Sequence, residues 1–390
     1  MSEWREVTLG ELVAESRGSI KTGPFGTTLK AAEYSSAGVP VVSVGEIGDG
    51  ALRIKESTPR VGTVVTERLP EYLLRTGDIV LGRKGAVDRS ATVRHAEDGY
   101  FQGSDALRIR FGSAVDWRFV AYQMRTRTSR EWLVRHASGS TLLSMNQATL
   151  ARLPISIPEL AEQQAIAGVL GALDDKIEAN RKLAATADAL ADALVQQAAR
   201  DSWARLDEVA VITMGTSPKG EFLNEEGEGL PFFQGIRDFG LRYPSRRVYA
   251  TSTPRVADSG DVLLSVRAPV GTLNLAPEPL CIGRGVAALR PLDGRPYLLF
   301  HLLRAIPEVW SRYNADGTVF GSINRKQLAG LEVPALAESS ATAIETELQS
   351  VERRLEIAIR EADTLATLRD ALLPKLMSGQ LRVEDAAALV

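Results

Sequence analysis

The sequence predicts a mixed α and β (α+β) fold in which two similar globular domains, related by a pseudo-two-fold repeat, are joined by two long antiparallel coiled-coil helices. Three observations carry this expectation. The second half restates the first in order; each copy opens with short apolar runs broken by Gly and Pro; and each copy ends in about 40 residues nearly free of both, with apolar positions at helical spacing.

The repeat comes first because it organises everything else. Leu9-Gly10-Glu11-Leu12 is echoed by Leu206-Asp207-Glu208-Val209, each a few residues after a tryptophan, Trp4 and Trp203. Gly38-Val39-Pro40-Val41-Val42 returns as Gly229-Leu230-Pro231-Phe232-Phe233, and Gly77-Asp78-Ile79-Val80-Leu81 as Gly260-Asp261-Val262-Leu263-Leu264. Arg83-Lys84 falls in the same turn region as Arg267, and Gly139 with Ser144-Met145-Asn146 recurs as Gly317 with Ser322-Ile323-Asn324. The offset shrinks from 197 to 178 residues along the series, as small deletions in the second copy would produce. A repeat this long signifies duplicated domains and not a solenoid.

Within each copy, runs such as 39–44, 78–81, 107–111 and 262–266 read as strands joined by turns. A helical stretch follows at 117–134 and again at 297–313. The long segments then show their seams. Ile166, Leu170, Leu173, Ile177, Asn180, Ala184, Ala187 and Leu194 step by threes and fours, as do Ile344, Leu348, Val351, Leu355, Ala358, Ala362, Leu365, Leu372 and Leu376. Such stripes are packing surfaces, and Asn180 within one reads as a register-fixing polar residue. Each helix would be roughly 60 Å long at about 1.5 Å per residue. The first helix leaves domain one and arrives at domain two, so the shortest pairing is antiparallel, with a globular part at each end. The boundaries expected are 1–155 for the first domain, 156–200 for the first helix, 201–335 for the second domain, 336–380 for the second helix and 381–390 for a C-terminal tail.

Composition narrows the function classes. With 390 residues, 44% hydrophobic and 24% charged, the chain fits two folded domains. The N-terminal Met1-Ser2-Glu3-Trp4-Arg5-Glu6 has no basic leader and no later segment is a long apolar run, so neither secretion nor membrane spanning is expected. One cysteine, Cys281, beside only His95, His136 and His301, offers no disulfide and no finger-like metal spacing, which fits a reducing cytoplasm. The formal net charge is −3. By segment, positive against negative, 1–150 has 20 and 17, 151–200 has 5 and 7, 201–335 has 15 and 15, and 336–390 has 6 and 10. The negative excess thus lies in the connectors, and the Arg-rich globular parts are neutral to slightly basic.

Enzyme chemistry finds no foothold. The sequence has no P-loop, no Gly-x-Gly-x-x-Gly after a strand, no Gly-x-Ser-x-Gly elbow, no His-Glu-x-x-His and no Asn-Pro-Pro-Tyr/Phe of amino-methyltransferases. Gly23-Pro24-Phe25-Gly26 and Gly215-Thr216-Ser217-Pro218-Lys219 are turn sequences that serve equally as plain surface loops or as ligand-facing ones. Asn146 and Asn324 precede equivalent helical leucines, and Ser144-x-x-Gln147 has the spacing of a capping box, so capping is the expected role there. Arg125, Arg127, Arg130 and Arg135 form a basic run that suits either phosphate anchoring or a solvated face.

Three stretches resemble a known family. Leu153-Pro154-Ile155-Ser156-Ile157-Pro158-Glu159-Leu160-Ala161-Glu162-Gln163-Gln164, followed by the run from Leu173-Asp174-Asp175-Lys176-Ile177 to Leu183, is similar to the first conserved region of type I restriction-modification specificity subunits (HsdS). The segment from Ile20-Lys21-Thr22-Gly23 to Lys30 resembles the loop opening many of their target-recognition domains, and Leu372-Leu373-Pro374-Lys375-Leu376-Met377-Ser378-Gly379-Gln380-Leu381 resembles the end of their second conserved region. The resemblance implies a non-catalytic subunit of a DNA adenine methyltransferase and restriction endonuclease. Each globular domain would read one half of an asymmetric, bipartite site in double-stranded DNA. The helices would space the halves and dock two modification (methyltransferase) subunits, which bind S-adenosylmethionine, while restriction/translocase subunits join them. No cofactor is expected in this chain. The second copy departs from the helix signature, with Ala337-Glu338-Ser339-Ser340 in place of Ala-Glu-Gln-Gln.

Phosphate contacts need only a cation or an N–H donor, whereas base edges favour Arg on guanine and Asn or Gln on adenine. Candidate DNA contacts are Lys21, Lys30, Arg83, Lys84 and Arg89 in the first domain, and Lys219, Arg237, Arg242, Arg246, Arg247 and Arg267 in the second. The rival readings are a non-catalytic coiled-coil adaptor or scaffold, which would not need the two Arg-rich domains, and an enzyme, which would need the absent motifs.

Overall fold

In a computed structural model, the described residues are 4–199, 202–314 and 321–388. They form two compact units, residues 1–177 with 363–390, and residues 178–362. Of the repeated motifs, Gly317 lies outside the described residues.

The first unit opens with strand Arg5–Thr8, which pairs antiparallel with Pro154–Ile157 and so ties together the two ends of the globular part. Helix Leu9–Glu15 follows, started by a capping box in which Thr8 and Glu11 satisfy each other's backbone N–H groups. The central sheet runs, in order, Ser19–Thr22, Ala106–Arg110, Ile79–Gly82, Ser90–Thr92 and Gly50–Ala51. A second sheet runs Tyr34–Ser35, Arg60–Val61, Val39–Val42 and Phe101–Gln102. Strand Ile79–Gly82 is buried throughout because it is covered on both faces. Alternate side chains point opposite ways, so Ile79 and Leu81 join the large core with Phe119 and Leu173, while Val80 packs with Val42, Leu74 and Ala91. That is why the sequence there is a continuous apolar run and not an alternating one.

The second unit repeats the plan. Trp203–Arg205 pairs with Glu332–Pro334; one sheet runs Ala210–Met214, Val286–Pro291, Val262–Ser265 and Leu273–Leu275; another runs Leu223–Asn224, Tyr249–Ala250, Leu230–Phe233, Leu280–Ile282 and Val256–Ala257. Val262 and Leu264 face one core and Leu263 the other, as in the first copy. The duplication extends to buried charge. Asp78 holds Arg110 in a bidentate pair (2.6 Å to both Nε and Nη2), and Asp261 holds Arg290 in the same way (2.8 and 2.9 Å). The duplicated Gly77 and Gly260, with φ of +89° and +88°, explain why each Gly-Asp pair begins with glycine: the left-handed turn before the strand excludes a side chain at low cost only there.

The helical stretches expected at 117–134 and 297–313 are each a pair of helices. Trp117–Arg125 ends at Thr126, whose side chain accepts from the Ser129 N–H and starts Arg127–His136; Pro296–Arg304 is followed by Pro307–Asn314, which begins on a proline that has no N–H to satisfy. The capping expectation is corrected in detail. Asn146, not Ser144, caps helix Gln147–Leu150, accepting from the Thr149 N–H at 2.8 Å, and Gln147 reaches Thr22 Oγ1 instead. Asn324 and Gln327 form the full capping box in the second copy.

The two long helices are Leu160–Ala198 and Glu338–Met377. In the first unit Ile166, Leu170 and Leu173 share a core with Leu372 and Leu376. In the second, Ala184 and Ala187 pack with Leu355 and Ala358, and Ala191 and Val195 with Ala341 and Leu348. Partner numbers fall as the first helix advances, so the pairing is antiparallel. Ala191 and Val195, both fully buried, carry the seam past Ala187 where the sequence pointed to Leu194. Asn180, 5% exposed, lies buried at its seam position. The segment 381–390 carries a short helix, Val383–Ala387, whose Ala386 is fully buried in the first unit's core.

Candidate nucleic-acid interface

In each unit the sheets end in a cluster of loops held by matching backbone hydrogen bonds. In the first, Gly103 N donates to Val42 O (2.8 Å), Arg83 N to Asp105 O (2.8 Å), Gly85 N to Leu143 O (2.8 Å) and Met145 N to Arg83 O (2.8 Å). In the second, Gly283 N donates to Phe233 O (2.9 Å), Val266 N to Gly285 O (2.9 Å), Ala268 N to Gly321 O (2.8 Å) and Ile323 N to Val266 O (3.0 Å). Glycines permit the closest approaches. A Cβ on Gly23 would lie 1.8 Å from Gly103 O, and one on Gly215 would lie 2.1 Å from Gly283 O, distances no side chain tolerates. The turn sequences around Gly23 and Gly215 are therefore the same loop, pressed against the same neighbour. The pairing also settles the register between copies: Lys84 corresponds to Arg267, each bridged to the equivalent serine, Ser144 or Ser322, and Arg83 corresponds to Val266.

The predicted cations divide into three groups. Arg83, Lys84 and Arg89 stand on the turn after strand Ile79–Gly82; the Arg83 guanidinium lies 5.3 Å from the ring centre of Phe25, and Lys84 is 3.4 Å from Asp105. Lys30, Lys219, Arg237 and Arg267 are exposed on loops, with Lys219 3.9 Å from Glu221. Among the described residues Arg89, Arg237 and Arg267 have no ion-pair partner. The second group is partly engaged elsewhere. Lys21 sits over Tyr72 at 4.4 Å and 4.0 Å from Glu71, and burial lowers its pKa against the pull of Glu71. Arg246 is 2.6 Å from Glu278, and Arg247 pairs with Asp238 at 2.9 Å.

Arg242 forms the third group and is a correction. It is fully buried, with Nη2 at 2.5 Å from Asp188 and 2.8 Å from Glu352, and its guanidinium stacks on Phe300 at 4.1 Å. A side chain with no exposed surface and two carboxylate partners does not reach DNA. The basic run is likewise split. Arg125 is 9% exposed and bound to Asp174 (3.0 Å), Arg130 is bound to Asp49 (2.5 Å) and Arg127 to Glu131 (2.6 Å), whereas Arg135 is exposed.

Several residues at the loop clusters escaped the sequence reading. Phe25 and Leu142, each 58% exposed, lie in the first cluster beside Arg83 and Gly85. Gln234 and Arg284 lie in the second, joined through Ser217: Ser217 Oγ donates to Gln234 Oε1 at 2.7 Å and accepts from the Arg284 N–H at 3.3 Å. The Gly283-Arg284-Gly285 sequence was the available signal, since an arginine between two glycines marks a side chain displayed on a closely packed backbone.

Away from the loops, each unit clamps its short helices to the long ones through an acid, half-buried Asp174 in the first and buried Glu352 in the second. In the first, Asp174 accepts from Tyr122 Oη (2.8 Å), Arg125 Nη1 (3.0 Å) and Arg369 Nη1 (2.6 Å). Burial raises the Asp174 pKa, but Arg125 and Arg369 outweigh it and leave the carboxyl below its ordinary value; burial beside the same carboxylate pushes the Tyr122 hydroxyl well up. In the second, Glu352 contacts His301 Nε2 (2.9 Å) and Arg242, while His301 Nδ1 lies 2.6 Å from Asp192 and Arg304 pairs with Asp188 and Asp192. Asp188 is likewise raised by burial and brought net below its ordinary value by Arg304 and Arg242. No helix of the described residues is long and apolar enough to cross a membrane.

Comparison with known proteins agrees with this geometry. Residues 1–187 match the family model of the type I restriction modification DNA specificity domain. A Methanocaldococcus jannaschii protein that carries the name type I restriction enzyme MjaX specificity subunit is 26% identical over 379 residues, covering 89% of this chain and 88% of its own length. The MjaIX specificity subunit of the same organism is 22% identical over 307 residues, covering 68% and 69%. The crystal structure of the type I restriction-modification S subunit from M. genitalium shares the fold at a TM-score of 0.64 and 18% identity, over 96% of both chains. Sequence match, duplicated α and β domains and paired long helices agree: residues 1–187 match the type I restriction modification DNA specificity domain, and the chain is similar along most of its length to type I specificity subunits.

Proposed function

We propose that each globular domain reads one half of an asymmetric, bipartite site in double-stranded DNA, and that the long helices space the two readers and dock two modification subunits. The chain itself performs no chemistry and carries no cofactor; S-adenosylmethionine and the adenine-methylating residues belong to the modification subunits, and restriction/translocase subunits complete the nuclease. The observation that carries this reading is the pair of loop clusters with the same backbone hydrogen bonds and different side chains. A shared scaffold with unlike displayed groups is what two readers of unlike half-sites require. Cations on these loops supply sequence-independent phosphate attraction, and the exposed Phe25 and Leu142 add apolar contact in the groove.

Methylome sequencing of cells expressing the chain with its modification subunits tests the proposal. One bipartite adenine-methylated motif is expected to appear with the gene and vanish without it. An unchanged methylome with all subunits present would return the chain to the class of scaffolds.

A further inference from the structure

We infer that Gln234 and Arg284 are the base-reading residues of the second domain, and that the equivalent first-domain positions, Ser43 and Ser104, read by a different chemistry. The inference rests on the DNA-reading function above and deepens it.

Equivalence follows from the backbone. Gly103 N bonds to Val42 O as Gly283 N bonds to Phe233 O, which aligns Ser43 with Gln234 and Ser104 with Arg284. Both places are pinned by close contact. A Cβ on Gly283 would lie 2.4 Å from Gln234 Oε1, and one on Gly103 would lie 2.1 Å from Ser43 Oγ, so in each unit a glycine presses directly on the reading position. A Cβ on Gly285 would lie 2.3 Å from Gln234 O, so Arg284 is flanked on both sides by backbone that cannot retreat.

The side chains fit base edges. Arg284 is exposed, with no ion-pair partner among the described residues, unlike Arg242, Arg246 and Arg247 of the same unit. Its N–H is anchored on Ser217, so the chain is fixed where the guanidinium starts. Ser217 also donates to Gln234 Oε1 and restrains the amide, whose exposed NH2 has no hydrogen-bond partner among the described residues. A held amide of this kind matches the donor and acceptor of adenine, and a free guanidinium matches the two acceptors of guanine. The first domain offers two serines and Arg83 stacked on Phe25 in the same cluster, a less directional set suited to a different half-site.

The test uses the full chain co-expressed with its modification subunits, comparing wild type with Gln234→Ala, Arg284→Ala and Arg284→Lys by methylome sequencing. Thermal unfolding and co-purification with the modification subunits establish that each variant folds. The expected result is that one half of the methylated motif relaxes, with discrimination at a single base position falling about 5- to 150-fold per variant, while the other half stays fixed. Arg284→Lys is expected to relax the motif as the alanine variant does, because an ammonium keeps the charge and loses the paired donors. Reciprocal Ser104→Arg should alter only the opposite half. If the wild type gives a bipartite motif and folded variants leave both halves unchanged, or relax both together, the assignment is overturned although the domain function stands. If Arg284→Lys retains full discrimination, Arg284 is a phosphate contact and the assignment is also overturned. A wild type without any motif would instead reject the function itself.

Discussion

Replacing Arg242 with alanine should destabilise the second unit without changing what the protein reads. The guanidinium is fully buried between Asp188 and Glu352 and lies on the Phe300 ring. Its removal leaves Glu352 with His301 alone and takes from Asp188 one of its two arginines, the other being Arg304. Breaking a buried pair by deleting one partner costs about 3–5 kcal/mol, because the remaining charge stays desolvated. For a unit spanning residues 178–362, that corresponds to a fall in melting temperature of about 6–20 °C. Thermal unfolding of the full chain measures the loss. A cycle with Glu352→Gln sharpens it: in the Arg242→Ala background the second substitution should cost less than in the wild type, since the unpaired carboxylate is then neutralised. The methylated motif at permissive temperature should be the same as wild type. A variant of unchanged stability with an altered motif would refute the placement of Arg242 inside the unit and restore it to the DNA-facing group.

Other expectations concern the half-buried Asp174, the buried Glu345 and the caps. Asp174→Asn should flatten the acid limb of the stability curve: the folded carboxyl is held below its ordinary value, so its contribution is present above the unfolded pKa and is lost as pH falls through the folded one. Stability of the variant and wild type should converge at low pH in urea titrations; parallel curves down to the acid transition would show that Asp174 contributes nothing through its charge. Glu345 is the opposite case. Burial raises its pKa, with the Leu298 and Tyr297 N–H groups opposing, so the ionised form costs stability as pH rises and Glu345→Gln should be neutral or stabilising at neutral pH. A large loss would mean that the carboxylate charge itself caps helix Pro296–Arg304. Asn146→Ala and Asn324→Ala should each cost about 1 kcal/mol through lost caps, read as a fall in the unfolding midpoint, with the methylated motif intact.

Much of this arrangement was legible in the sequence because duplication prints itself twice. Gly77-Asp78 and Gly260-Asp261 could be matched before their shared roles, the left-handed glycine and the arginine-holding aspartate, were visible. The helical seams were readable because period alone defines them. The site was less so. Leu241-Arg242-Tyr243 looks like any surface turn, and the carboxylates that bury Arg242 sit 54 residues before it, on one long helix, and 110 after it, on the other. Burial of a charged side chain is decided by such distant partners, which no local pattern reveals. Arg284 was overlooked for the converse reason: its distinction is the lack of a partner, and an exposed arginine differs from a solvated one only in where the backbone points it. The caps at Asn146 and Asn324 were legible, but the Ser144-x-x-Gln147 box does not form, because bridges to Ser138 and Lys84 claim the Ser144 backbone.

The division of the chain into units has a bearing on synthesis. The second unit is continuous, residues 178–362, whereas the first is closed by residues 363–390, which are synthesised only after the whole second unit. Leu372, Leu373, Leu376, Met377 and Ala386 complete the core that Leu9, Phe119, Ile166 and Leu170 begin. The unit begun first is therefore completed after the second, and until its closing residues are made its apolar helix face waits uncovered. A chain lacking everything after residue 362 would keep the second unit and lose the part of the first unit's core that Leu372, Leu373, Leu376, Met377 and Ala386 supply.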